Sequence, residues 1–216
     1  MAQLFSRGAN TFSRLSIIGV LLLIVAIAWV GTAIDRSHYM TGVGIPREQP
    51  VQFSHEHHVK GLGIQCLYCH SSVEVSSFAG LPPTETCMSC HSQIWADSPY
   101  LEPVRASLRD YTPLVWTRVT DLPGFVYFNH SIHVTKGIGC ETCHGRVDNM
   151  PLMWKAHSMT MAWCLNCHRD PALYVRPREE VYTMGYRPAE DQSELGGRLV
   201  REYRIRSLLD CYTCHR

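Results

Sequence analysis

The longest unbroken apolar stretch of the chain is 15–34, twenty residues without a charge, including Leu21-Leu22-Leu23-Ile24-Val25. At about 1.5 Å per residue, a helix over this run is about 30 Å long, the thickness of a bilayer's hydrocarbon layer. Arg7 and Arg14 precede the run, and Asp35 and Arg36 follow it. The positive charge ahead of it predicts a cytoplasmic segment 1–13, a single transmembrane anchor helix 14–35, and export of everything after it to the periplasmic side. A cleaved signal peptide competes, because Gly31-Thr32-Ala33 resembles a weak cleavage site, but its apolar region is normally shorter.

Beyond the anchor the pattern is weak. The stretch 98–127 holds Pro99, Pro103, Pro113 and Pro123, which argues against a long helix and for an ordered connector with extended pieces. Val115-Trp116-Thr117-Arg118-Val119 and Phe125-Val126-Tyr127-Phe128 are its candidate short strands. Over 190–209 the period turns helical, with Leu195, Leu199, Tyr203 and Leu208 on one side and Arg198, Glu202 and Arg206 spaced i,i+4. The expected fold class is therefore mostly irregular and α, with little sheet.

A net charge of +1 offers no handle for nucleic acid, and no glycine-rich phosphate loop is present. The cysteines change the picture. All ten fall in five pentapeptides: Cys66-Leu67-Tyr68-Cys69-His70, Cys87-Met88-Ser89-Cys90-His91, Cys140-Glu141-Thr142-Cys143-His144, Cys164-Leu165-Asn166-Cys167-His168 and Cys211-Tyr212-Thr213-Cys214-His215. Two thiols a turn apart can add to the two vinyl groups of a porphyrin, and the adjoining imidazole then lies under the iron as proximal ligand. Zinc saturates at four ligands, and a disulfide scaffold gives no reason for His at the same place five times. Five covalently bound c-type haems follow, with His70, His91, His144, His168 and His215 as proximal ligands. About 180 residues must then house five porphyrins, about 36 residues each, so the haems themselves must supply much of the interior.

An internal repeat organises the exported part. Phe53-Ser54-His55-Glu56-His57-His58-Val59, followed by Gly61-Leu62-Gly63, leads into the first motif; Phe128-Asn129-His130-Ser131-Ile132-His133-Val134, followed by Gly137-Ile138-Gly139, leads into the third. Each element precedes two motifs, which divides the chain into a first two-haem lobe (36–97), the connector (98–127), and a second two-haem lobe with a C-terminal fifth haem (128–216).

These Phe-x-His-x-x-His elements resemble the distal-ligand elements of class III multihaem cytochromes c, whose two histidines serve different haems. The resemblance implies that His55 caps the haem of Cys66 and Cys69 and His130 that of Cys140 and Cys143, leaving His58 and His133 for neighbouring haems. His57 breaks the pattern, and His38 sits just past the anchor. For the remaining distal position the segment 150–164 offers Met161, His157 and Met159; a thioether would raise that haem's potential. Met161 is the preferred candidate.

The anchor, the five motifs, the connector and Thr160-Met161-Ala162-Trp163-Cys164 together resemble the pentahaem cytochrome c subunit of bacterial Alternative Complex III. That resemblance implies electron relay inside a quinol:electron-acceptor oxidoreductase, without a catalytic site in this chain. It also implies partners: an iron–sulfur subunit, polytopic membrane subunits, a monohaem cytochrome and a soluble electron carrier. Two other readings compete: a self-sufficient membrane quinol dehydrogenase feeding a periplasmic reductase, and a multihaem oxyanion reductase. The last needs an open iron, whereas here every motif ends in His and the distal candidates suffice for five.

Overall fold

The computed structural model describes residues 4–215. The chain divides after Gly42 into two compact units. The first carries α1, Ala9–Asp35, and the short α2, His38–Thr41. Helix α1 begins before the charge-free run and so takes Arg14 into its first turns. Its most apolar stretch has a mean hydropathy of 2.8, and none of its side chains is buried, so the helix is long and apolar enough to cross a bilayer. Ser37 caps α2 by accepting the Met40 N–H at 3.4 Å, and Gly42 closes it with a φ of 68°.

From Val43 onward the second unit is built from short helices: α3 Cys66–Cys69, α4 Thr84–His91, α5 Glu102–Arg109, α6 His130–Thr135, α7 Cys140–His144, α8 Met161–Arg169, α9 Gln192–Glu202 and α10 Cys211–Cys214. Among the described residues there is no strand, only isolated bridges. The two stretches expected as strands are correspondingly irregular, and Val126 makes a single antiparallel bridge to His215. Nor is the connector wholly extended, because Pro99 and Pro103 open a 3₁₀ turn and α5, where the missing N–H costs nothing. The C-terminal helix is shorter than expected: it stops at Glu202, and Arg204 turns left-handed at φ 53°, which removes Arg206 and Leu208 from it. Arg198 pairs with Glu190 ahead of the helix at 2.6 Å instead of continuing a ladder along it.

The apolar core is thin and divided. Val51, Leu101 and Val104 form one cluster, with Met88 and Trp116 against it; Val73, Val134 and Val181 form a second; Val175, Leu195, Leu199 and Tyr203 form a third. A unit of this length ordinarily builds one continuous core. Between the clusters the chain is held by backbone pairing, as where Gly44 N–H reaches Lys155 O at 2.8 Å and Glu56 N–H reaches Met150 O at 3.1 Å. The two copies of the repeat thus interlock within one compact unit.

Candidate haem sites

Each Cys-x-x-Cys-His motif lies on a helical turn or at the end of one, in α3, α4, α7, α8 and α10. A spacing of i, i+3 puts both thiols on one face of that turn. None of the ten cysteines is disulfide-bonded. Among the described residues no three His, Cys, Asp or Glu side chains converge as a zinc site would require.

The two Phe-x-His-x-x-His elements are copies in three dimensions. Phe53 meets His55 edge-on at 4.9 Å and 87° and stacks on His58 at 4.4 Å and 26°; Phe128 meets His130 at 4.8 Å and 88° and stacks on His133 at 4.5 Å and 28°. In both, the second histidine directs Nδ1 at the carbonyl four residues back, Ser54 at 2.8 Å and Asn129 at 2.7 Å. Both elements end on a glycine of positive φ, Gly63 at 70° and Gly137 at 80°, whose following isoleucine N–H returns to the carbonyl of that second histidine at 3.0 Å. The glycines that correspond are therefore Gly63 and Gly137, not Gly61 and Gly137. The first copy has one residue more, and it absorbs that residue by forming a π-helical turn, Glu56–Gly61, where the second copy has α6.

This geometry sets each element against two motifs. His58 faces His91 with ring centroids 6.2 Å apart, His130 faces His144 at 6.3 Å, and His133 faces His168 at 6.2 Å. Two imidazoles bound through nitrogens about 2 Å from one shared metal have their ring centres about 6 Å apart. The three facing pairs have that separation, so the residues present fit an iron held from both sides.

His55 completes the set. Burial and then its neighbour His70 hold its pKa down at about 4, and its buried Nδ1 has no hydrogen-bond partner. Burial also holds His144 at about 4, with His130 and His70 adding to the effect. Both rings are thus neutral at pH 7, the form that ligates iron. Backbone carbonyls orient several of the remaining rings: Nδ1 of His70 donates to Gly80 O at 2.9 Å, His91 to Ile94 O at 3.0 Å, His130 to Ser77 O at 3.0 Å and His215 to Phe125 O at 3.2 Å. A carbonyl only accepts, so Nδ1 carries the proton, which leaves the Nε2 lone pair available to a metal.

The fifth motif is held by a segment the sequence offered only as a strand. Phe125 stacks on His215 at 5.9 Å, and Tyr127 N–H donates to Cys214 O at 2.7 Å. Of the three distal candidates, His157 stacks on Trp163 at 5.4 Å and lies close enough to His144 to depress it, which sets it beside the third motif. Met159 sits in a left-handed backbone at φ 52°. Met161 opens α8 one turn before Cys164, and Cys164 neighbours Cys214 of the fifth motif. His57 is exposed and stands edge-on to His58 at 5.4 Å, away from the paired faces.

Arg176 and Glu141 were not legible as site residues. Glu141, inside the third motif, pairs with the buried Arg176 at 3.0 Å and accepts the N–H groups of Gly185 at 2.6 Å and Tyr186 at 3.2 Å. Arg176 lies directly under Gly139, whose place a Cβ would contest at 2.3 Å from the guanidinium carbon. The glycine before Cys140 was the one sequence signal of that close approach.

Comparison with known proteins agrees with this chemistry. Residues 126–216 match the family described as cytochrome c7 and related cytochrome c. The multihaem cytochrome c subunit of menaquinone reductase from Nitratidesulfovibrio vulgaris (strain Hildenborough) is 37% identical over 99 residues, 45% of this chain and 46% of that protein. The match therefore spans about half the length of that relative. Residues 126–216, which hold the motifs from Cys140 to His215, are thus similar to the cytochrome c7 and related cytochrome c family.

Proposed function

We propose that this chain is a membrane-anchored pentahaem c-type cytochrome that relays single electrons within a quinone-linked oxidoreductase of the Alternative Complex III kind. The observation that carries the reading is the set of facing imidazole pairs at 6.2–6.3 Å, each joining a motif histidine to a histidine of a repeated element. Bound haem supplies reversible one-electron storage at iron and no proton chemistry of its own. The protein's share is to attach it through ten thiols, to ligate it from both faces, and to orient the ligating rings through backbone carbonyls.

In this reading His55, His58, His130 and His133 are the distal ligands of the first, second, third and fourth motifs, and Met161 is that of the fifth. Two axial side chains on each iron leave no place for an oxyanion substrate, which sets the reductase reading aside. Helix α1 anchors the chain with its N-terminal side in the cytoplasm and the haem-bearing unit outside. The charge-free run 15–34 carries only Ser16 and Thr32 as hydroxyl side chains and no ionisable group, so quinone protons are handled by partner subunits. Those partners are an iron–sulfur subunit, polytopic membrane subunits and a monohaem cytochrome, with a soluble carrier beyond them.

A second reading concerns direction. The relative's name, menaquinone reductase, favours electrons flowing through such a subunit toward quinone instead of away from it. One experiment separates the relay from a self-sufficient quinol dehydrogenase: the purified holoprotein in liposomes should be reduced by dithionite but not by menaquinol. Rapid reduction by menaquinol would overturn the relay reading. In the intact complex, whether reduced soluble carrier drives menaquinone reduction then decides direction.

A further inference from the structure

We infer that Glu141 and Arg176 set the reduction potential of the third haem site, each pulling it in the opposite direction, so that together they hold it near the value its axial histidines alone would give. The inference rests on the haem reading above and adds to it the two residues that tune one site.

The third motif is the only one of the five with a charge between its cysteines: Glu141 stands where the others have Leu67, Met88, Leu165 and Tyr212. The fold keeps that carboxylate largely out of water. Oε1 takes Arg176 Nη2 at 3.0 Å and the Tyr186 N–H at 3.2 Å, and Oε2 takes the Gly185 N–H at 2.6 Å. Arg146 Nε stands 3.9 Å from Oε2, and the same guanidinium pairs with Asp148 at 2.5 Å. Asp148, Arg146, Glu141 and Arg176 thus form a row of alternating charge around the third motif. Among the described residues Asp148 and Arg176 are also the two buried charged side chains, so both buried charges of the unit lie at this one site.

Backbone pairing aims Arg176 at the motif. Its N–H donates to Gly137 O at 2.8 Å, and the Cys140 N–H donates to Val181 O at 3.1 Å, which lays 176–181 along 137–140. The guanidinium then fills the space left by the missing side chain of Gly139, one residue before Cys140. Nη1 donates to Thr183 O at 3.2 Å and the guanidinium lies 4.8 Å over the Tyr186 ring, but its buried Nε has no partner. A buried cation with one N–H unbonded is a costly way to join two loops. Its place beside a haem-bearing cysteine gives the charge a use.

Reduction adds one electron to a ferric haem and cancels its net positive charge; no bond is made or broken. A cation nearby favours the reduced form and raises the potential, and a carboxylate lowers it. Solvent and salt screen such charges at a surface far more than in an interior. Arginine stays protonated throughout the working pH range, so its pull is constant.

Redox titration of the holoproteins tests this, followed by visible absorption and by the electron paramagnetic resonance signal of the site where His130 and His144 lie 6° from parallel. Arg176→Met should lower the midpoint of that site alone and Glu141→Gln should raise it, each by about tenfold in the reduction equilibrium, ~59 mV for one electron. The double variant should return close to the parent. Arg176→Lys, which keeps the charge, should also stay close to the parent, and Glu190→Gln, from an exposed pair, should move nothing. Shifts of the same sign in Arg176→Met and Glu141→Gln, or an Arg176→Lys shift as large as that of Arg176→Met, would overturn the inference, because lost packing and not charge would then be the cause. Intact mass is read first on each variant. If Arg176→Met fails to mature, the sign of the shift in the isosteric Glu141→Gln carries the test. A Glu141→Gln protein that has lost one haem makes the pair a condition of assembly and overturns tuning as well. A parent without haem on Cys140 and Cys143 refutes the haem reading itself; a parent that carries it, with variants that leave its midpoint in place, refutes the tuning alone.

Discussion

His130 and His144 face each other with their ring planes 6° from parallel, whereas His58 and His91 are crossed at 64° and His133 and His168 at 67°. Parallel axial rings donate into the same iron d orbital and split it from its partner; crossed rings donate into both and leave them nearly degenerate. In the oxidised holoprotein the third site should therefore give a rhombic low-spin electron paramagnetic resonance spectrum, and the second and fourth highly anisotropic ones. His130→Met should remove the rhombic component alone. A spectrum in which all three sites are of one type would contradict the pairing.

The corresponding glycines differ in a way that stability measurements can read. Gly63 has a φ of 70° with open space where a Cβ would stand, so Gly63→Ala should cost about 1–2 kcal/mol, the left-handed backbone alone. At Gly137 the φ is 80° and the Cβ would come within 2.4 Å of Arg176 O, so Gly137→Ala should cost about 3 kcal/mol or more. Denaturant unfolding of the holoproteins checks this, and equal losses would contradict it.

Glu141→Gln strips the charge from the pair with Arg176, whose side chain is only 9% exposed, and leaves a buried guanidinium unpaired. A loss of about 3 kcal/mol is expected. Glu190→Gln, which breaks the exposed pair with Arg198, should cost nothing measurable. Thermal denaturation of the two variants side by side is the check.

Met161 supplies a test of the one distal position proposed for a thioether instead of an imidazole. Met161→His should lower the potential of a single haem toward the bis-histidine range, and Met161→Ala should leave one haem high-spin, both read by spectroelectrochemical titration. Met88, packed against Val51, Leu101 and Val104, should affect folding but no potential. If Met161→Ala leaves every haem low-spin with its potential unchanged, the position belongs to another side chain.

That each Cys-x-x-Cys-His motif presents its two thiols on one helical face was legible in the sequence, because i, i+3 positions share a face of a helical turn. The repeat was legible too, but its register was not: Gly61 and Gly63 look alike in sequence, and only the π turn shows that Gly63 answers to Gly137. The carbonyls that orient His58, His70, His91 and His130 were invisible, since every residue carries one. Arg176 was hidden because its role comes from long-range packing under Gly139. Helix α5 was masked by prolines that read as breakers but stand at helix starts.

The thin, divided core makes haem attachment the central claim, and the intact mass of the purified holoprotein tests it most directly. The expected mass is that of the polypeptide plus five haems, falling by one haem and losing the folded state when Cys164 and Cys167 are both replaced by Ala. A mass corresponding to four haems or fewer in the unaltered protein, or a haem-free form that remains folded, would contradict the account.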